Sequence, residues 1–299
     1  AEIVADIERS FNESINRPDY ARKLYLIENC IYGVDIQPIA IQISKLRFFI
    51  SLVVDQMTNN NPVDNFGIRP LPNLEARFVA ANTLVGLEKR EANLFDSEAI
   101  REKEKEMKEA KHRIFGAKTV KTKRKYKERV TTLRTEIANM LKDCGYISNN
   151  EAQQLSSWDM FDKNATSPFF DPEWMFDVRD GFDIVVGNPP YGAKMSKSEK
   201  SLYKKAYNWL FKKYDIYMVF FELAFRLSKG IICYITPDKW LSKSFGIVFR
   251  REAMIPYMTQ IVRLGSDVFD EACVDAIISI YHKKGSKELS IVKAISHDE

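Results

Sequence analysis

Phe182-Asp183-Ile184-Val185-Val186-Gly187-Asn188-Pro189-Pro190-Tyr191 is the stretch on which the reading of this chain turns. A short β-branched run stopped by glycine predicts a buried strand, and the residues at its carboxyl end are chemically specific. Two successive prolines stiffen the turn and keep a carbonyl pointing outward, because proline fixes its own φ and has no N–H to donate. The Asn188 amide oxygen and the Pro189 carbonyl are then a rigid pair of acceptors, able to hold the protons of an amino group and draw its lone pair out of conjugation. Tyr191 adds a flat face on which a planar base stacks, worth roughly 1–3 kcal/mol per base. A strand followed by an ordinary proline turn is the structural alternative.

Working outward, strand-like runs lie at Ile31–Ile36, Arg77–Ala81, Phe182–Val186, Ile231–Ile235, Ile261–Leu264 and Ala276–Tyr281, with a shorter one at Leu289–Ile295. Helical spacing of apolar residues fills Pro38–Val54 and Tyr214–Leu227, the latter read as ending before Gly230. This alternation predicts an α/β fold with a mostly parallel sheet. In such a sheet, ligands bind beyond the carboxyl ends of the strands. Two further strand ends carry suitable residues. Asp35, with Ile36 beside it, can hold ribose hydroxyls and cover one face of an adenine, or can simply cap the helix that Pro38 opens. Asn82 can recognise an adenine edge or serve as a turn residue. The aromatic, irregular stretch 153–180 is expected to pack across a sheet edge.

The net charge of +4 is the balance of 45 Lys/Arg and 41 Asp/Glu over 299 residues, and it conceals an asymmetry. Residues 101–142 hold 15 Lys/Arg against 6 Asp/Glu, leaving 30 against 35 elsewhere. This segment reads as two helices, Glu98–Phe115 and Thr122–Leu141, forming a charged hairpin inserted into the main domain, so that 1–96, 97–145 and 146–299 are its three parts. Lys123, Arg124 and Lys125, with their neighbours Lys118, Lys121, Lys127 and Arg129, either contact phosphates or line a solvated arm. Cys30, Cys144, Cys233 and Cys273 are widely spaced and form no metal-type pair, so no metal is expected. With no long apolar segment and no secretory signal pattern, a cytoplasmic protein is expected, without a membrane partner.

Asn-Pro-Pro-Tyr after a hydrophobic strand resembles the catalytic motif of amino-group methyltransferases that use S-adenosylmethionine. The phrases Tyr32-Gly33-Val34-Asp35-Ile36-Gln37-Pro38 with Lys45-Leu46-Arg47, Phe78 to Leu87, and Asn188 to Tyr191 occur in an order similar to that of type IIG restriction-modification methylases and related phage-defence enzymes. Their methylase part resembles the gamma class of adenine-specific DNA methyltransferases, and the similarity spans about Tyr25 to Tyr281. The resemblance implies a class I, Rossmann-like methyltransferase fold and methyl transfer to the exocyclic amine of adenine in double-stranded DNA. It implies target-base contacts at Asn188, Pro189, Pro190 and Tyr191, and cofactor contacts at Asp35, Ile36, Asn82 and Phe220. Phe269 would pack the flipped base from the side opposite Tyr191. The family's glycine-rich cofactor loop is absent ahead of Asp35. The chain is therefore expected to be a fragment lacking that loop and the first strand, a poor cofactor binder by itself. Target-recognition and nuclease domains, where present, are expected outside it. RNA adenine or protein glutamine methylation are alternatives within the same chemistry, and an inactive nucleic-acid-binding piece is an alternative outside it.

Overall fold

The computed structural model describes residues 18–68, 74, 77–86, 98–115, 119–264, 275–285 and 289–293. The chain divides into two compact units, Ala1–Asp177 and Val178–Glu299.

In the first unit, α1 (Pro18–Asn29) leads to β1 (Gly33–Asp35), α2 (Pro38–Val54), a 3-10 turn (Pro62–Gly67) and β2 (Phe78–Ala80). β1 and β2 pair in parallel, Gly33 opposite Phe78 and Asp35 opposite Ala80. Tyr20, Leu24 and Ile27 of α1, Ile41 and Leu52 of α2, Leu74 and Phe78 close one core cluster beneath them. Pro38 opens α2, where the missing N–H costs nothing, and the helix has the bounds its apolar spacing predicts.

The charged segment folds as α3 (Glu98–Phe115) and α4 (Val120–Asp143). Their side-chain pairs run in opposite order along the two helices, Lys103 with Glu136, Arg129 with Glu106 and Arg113 with Tyr126, so the hairpin is antiparallel. Its apolar stripe is thin, but it is used in full. Ile100, Met107, Ala110 and Ile114 of α3 and Val130, Leu133, Ile137 and Ala138 of α4 are all buried. α5 (Asn149–Ser157) begins behind a capping box made by Ser148 and Glu151. α6 (Pro172–Phe176) is tied to the hairpin by the buried Lys111, which donates to the Trp174 carbonyl at 3.2 Å and pairs with Asp177 at 3.4 Å. The aromatic stretch does pack along a sheet edge. Ser167 bridges Ala81 in parallel, its N–H donating to the Ala80 carbonyl while its own carbonyl accepts from Asn82.

The second unit holds β3 (Phe182–Gly187), α7 (Lys197–Ala206), α8 (Tyr217–Leu227), β4 (Ser228–Pro237), β5 (Met258–Arg263), β6 (Ala276–His282) and β7 (Ser290–Lys293). Helical turns fill 238–257, including a π-wound turn at Arg250–Met254. The strand order is β3-β4-β6-β5-β7. β3 with β4 and β5 with β7 are parallel, whereas β6 runs against both its neighbours. Beneath the sheet, Phe221 of α8 lies at the centre of an aromatic core, 4.4 Å from Phe249, 5.4 Å from Tyr234 and 5.7 Å from Trp240 between ring centroids.

Two expectations change. Gly230 does not stop α8; it lies inside β4, where an added Cβ would come within 2.3 Å of the Asp183 carbonyl, so the residue is small because the paired strand β3 approaches closely there. β3 is not a buried strand in its own sheet. Among the described residues it pairs only with β4, and Ile184 and Val186 remain 59% and 73% exposed. No helix among the described residues is long and apolar enough to cross a membrane.

Candidate active site

The carboxyl end of β3 carries the polar group that its sequence forecast. Gly187, the last strand residue, lies under the ring of Tyr234, which would come within 2.7 Å of a Cβ there; only glycine lets the strand end so close to β4. Beyond it Pro189 is buried, Asn188 and Pro190 are exposed and Tyr191 is half-buried. The Tyr191 hydroxyl lies 2.6 Å from the Asn188 Oδ1 and 3.1 Å from the carbonyl of Ile235 near the end of β4. The phenol has one proton for two acceptors, so it bridges the turn to the neighbouring strand. Desolvation raises its pKa, so the hydroxyl stays protonated at physiological pH.

The turn is held from a second side by a residue that no sequence motif singled out. Asp215, just ahead of α8, accepts from the Gly192 N–H with both carboxylate oxygens, at 3.0 and 3.2 Å, and from the Ile216 N–H at 2.7 Å. The buried Tyr217 at the start of α8 meets Tyr191 edge-on, with centroids 6.5 Å apart. The apolar spacing places Asp215 inside the pattern Tyr214–Leu227, but the helix begins at Tyr217 and leaves Asp215 ahead of it, facing a glycine 23 residues earlier that no spacing could indicate. Phe220 lies half-buried on the same helix.

In the first unit, the register of β1 against β2 brings Asp35, Ile36 and Asn82 to the same carboxyl end. The Ala81 N–H donates to the Asp35 carbonyl at 2.9 Å, and Asn82 comes directly after it. Both polar residues also serve the local roles that the sequence left open. Asp35 Oδ1 accepts from the Gln37 N–H at 2.7 Å, and Asn82 Oδ1 accepts from the Leu84 N–H at 3.2 Å. Each keeps a second polar atom, and Ile36 is 57% exposed. A carboxylate oxygen, an amide group and an exposed aliphatic face at adjacent strand ends fit a nucleoside.

Lys123, Arg124 and Lys125 lie on α4, where Arg124 pairs with Glu128 at 3.2 Å. Phe269 lies outside the described residues.

The model of the Eco57I restriction-modification methylase family matches residues 29–269. This chain belongs to that family. Strands and helices alternate along it in an α/β arrangement with parallel strand pairs in both units. A Methanocaldococcus jannaschii relative, whose name gives it as a type II restriction enzyme and methyltransferase, is 28% identical over 91% of this chain and 27% of its own length. The Escherichia coli type II restriction enzyme and methyltransferase RM.Eco57I is 30% identical over 28% of this chain and 9% of its own. Among solved structures, the type IIG restriction endonuclease BpuSI is 12% identical, covering 99% of this chain and 29% of its own, with a TM-score of 0.39, too low to add to the family assignment. This family member thus spans about a quarter of the Methanocaldococcus relative.

Proposed function

We propose that this chain is the catalytic core of an S-adenosylmethionine-dependent, adenine-specific DNA methyltransferase within a restriction-modification or phage-defence enzyme. The observation that carries the reading is the pre-set acceptor at the end of β3, where the Asn188 Oδ1 is held 2.6 Å from the Tyr191 hydroxyl on a turn stiffened by two prolines. Double-stranded DNA is the partner, with target recognition and any nuclease domain lying outside this chain. The family membership and the names of the relatives support the methylase assignment; the choice of adenine rests on the motif's chemistry.

The work of the motif is to hold a nitrogen whose lone pair is delocalised into its ring. When the Tyr191 phenol swings off Asn188, the amide oxygen is free to accept one amine proton and the Pro189 carbonyl the other, which favours tetrahedral geometry and turns the lone pair toward the methyl donor. Tyr191 then stacks on the extruded base. On the cofactor side, Asp35 would hold ribose hydroxyls, Ile36 a face of the adenine and Asn82 its edge, and Phe220 is assigned a ring contact to the same adenine. S-adenosylmethionine, when bound, supplies an electrophilic methyl group. Phe269 is assigned the other face of the flipped base.

The test is a radiolabelled methylation assay on the polypeptide that carries this chain, offering duplex DNA, structured RNA and a glutamine-containing release-factor protein. Label in duplex DNA that is recovered as N6-methyladenine, and is lost in Asn188→Ala, is the expected result. Label in RNA or protein alone, or an unaffected Asn188→Ala variant, overturns the assignment.

A further inference from the structure

The segment just after the motif carries an unneutralised basic surface. Residues 192–213 contain seven lysines and a single acid, Glu199. That acid is already committed. It closes the capping box of α7, its carboxylate accepting from the Ser196 N–H at 2.7 Å, and its hydrogen bonding to Ser196, through the side chain first and the backbone second, lowers its pKa. On α7, Lys197, Lys200 and Lys204 recur at i, i+3 and i+7, forming one exposed stripe, with Lys205 beside it and Lys194 just ahead. Glu199 lies about half a turn away from Lys197, on another side of the helix. Among the described residues, none of these lysines has a carboxylate within ion-pair distance.

The support beneath them is firm. Tyr203 is 3% exposed and anchors the side of α7 next to the stripe. The loop after α7 is held by the buried Glu222, which accepts from the Asn208 and Trp209 N–H groups at 3.0 and 2.7 Å, and by Arg226, which donates to the Ala206 carbonyl at 2.6 Å. At the tip of that loop Lys212 and Lys213 are exposed, and Phe211 is a 39% exposed ring under the Lys212 ammonium. Helix stability does not explain the pattern. Lysines in the last turn suit the helix dipole, but Lys197 opens the helix, where positive charge opposes it.

We infer that this lysine face, and not the hairpin, is the surface of this chain that grips the DNA backbone around the target base. The inference rests on the proposed DNA methyltransferase function. Five residues of chain lie between Tyr191 and Lys197, a span of at most roughly 20 Å. Phosphates flanking an extruded base fall within that reach, since one charge occurs per roughly 1.7 Å of duplex axis. Four of the hairpin's cations are engaged, Lys103 with Glu136, Arg129 with Glu106, Arg124 with Glu128 and Lys111 with Asp177, whereas Lys121, Lys123 and Lys125 have no ion pair among the described residues and are the competing surface that the experiment tests.

The experiment measures binding of a mixed-sequence 30-base-pair duplex to the full polypeptide as a function of salt, so that specificity plays no part. Replacing Lys197, Lys200 and Lys204 with glutamine should reduce the slope of log K against log[salt] by about 2.7, at about 0.9 per phosphate contact. Between 50 and 200 mM salt the unmodified protein should therefore lose roughly 40-fold more affinity than the variant. The triple arginine variant should keep the full slope, and Lys121→Gln/Lys123→Gln/Lys125→Gln on the hairpin should leave it unchanged. An unaltered slope in the α7 variant, or the loss appearing in the hairpin variant, overturns the inference, as does a slope change seen only with structured RNA. Asn188→Ala serves as the separating control. If it retains methylation, the proposed reaction fails, whereas the salt slope judges the lysine face independently.

Discussion

The hairpin α3–α4 and the segment that runs from the end of β3 through α7 are both lysine-rich, and they dispose of their charge in opposite ways. In the hairpin, Lys103 and Arg129 face anions on the partner helix, Arg124 faces one along its own helix, and one lysine, Lys111, is buried outright against Asp177, while Lys121, Lys123 and Lys125 have no ion pair among the described residues. After β3, the one acid is used as a helix cap and the lysines face solvent without partners. Density of charge in a sequence therefore says little about charge available to a ligand. Availability depends on which side chains the fold has already matched, and an exposed, unmatched cluster beside a candidate site is the more informative of the two.

The largest expected separation between the regions is catalytic. Asn188→Ala should lower methyl transfer by about 10²- to 10³-fold, the usual cost of removing one preorganised polar contact to a reacting group. The charge-reversed hairpin Lys123→Glu/Arg124→Glu/Lys125→Glu should stay close to the unmodified rate in the same initial-rate assay. An equal loss in both would erase the distinction.

Stability should reverse the ranking. Asp177→Asn leaves Lys111, 6% exposed, without its counter-charge, and should cost about 3–5 kcal/mol in chemical denaturation of the first unit. Burial already pulls the Lys111 pKa down, and Asp177 is what opposes that pull. A loss below 1 kcal/mol would mean that the hairpin is not anchored there.

A pH experiment sharpens the contrast. Burial pushes Tyr207, the residue after α7, from 10.0 up to about 12, and raises Tyr217, Tyr234 and Tyr281 as well. A raised folded-state pKa means that the folded form holds the proton more tightly. The stabilisation is complete below pH 10 and is lost as the pH climbs from 10 through about 12. For Tyr207 alone it amounts to about 2–3 kcal/mol at 1.36 kcal/mol per unit. Absorbance at 295 nm, read as the difference between the unmodified protein and its Tyr207→Phe variant, should show Tyr207 ionising together with unfolding of the second unit. Ionisation of Tyr207 near pH 10 with the fold intact would contradict its burial.

The smallest effect belongs to the exposed hairpin pair. Arg124→Ala breaks the Arg124–Glu128 contact, with both side chains more than two-thirds exposed, and should shift stability by only about 0.3–0.5 kcal/mol. A shift above 1 kcal/mol, read from the same denaturation curves, would show that surface pairing matters more in the hairpin than its buried stripe.

Much of the fold is legible in the residues alone, and the exceptions have identifiable causes. α2 has the bounds its spacing predicts, because Pro38 marks its start and every third or fourth residue is apolar. The strands fall within a few residues of their apolar runs. The direction of β6 is not readable, since a strand's residues carry no mark of which way its neighbours run. Gly230 misleads because a glycine that ends a helix and one that makes room for a closely paired strand look alike in sequence. For Asp35 and Asn82 the residues offer a local and a ligand-binding role as alternatives, and the local half of each is observed: one atom of each side chain closes its own turn.

The sequence by itself determined the elements and the chemical character of the strand ends, because helical and strand periodicities are local and the amide, prolines and phenol of 188–191 are adjacent in the chain. Only the tertiary structure decided which groups are satisfied. The Tyr191 hydroxyl bridging Asn188 to Ile235, the Asp215 carboxylate holding Gly192, and the pairing of Lys103 with Glu136 across the hairpin all join residues on separate elements. Hydrogen bonds and ion pairs form between groups that folding brings within about 3–4 Å, and no one-dimensional spacing specifies that distance.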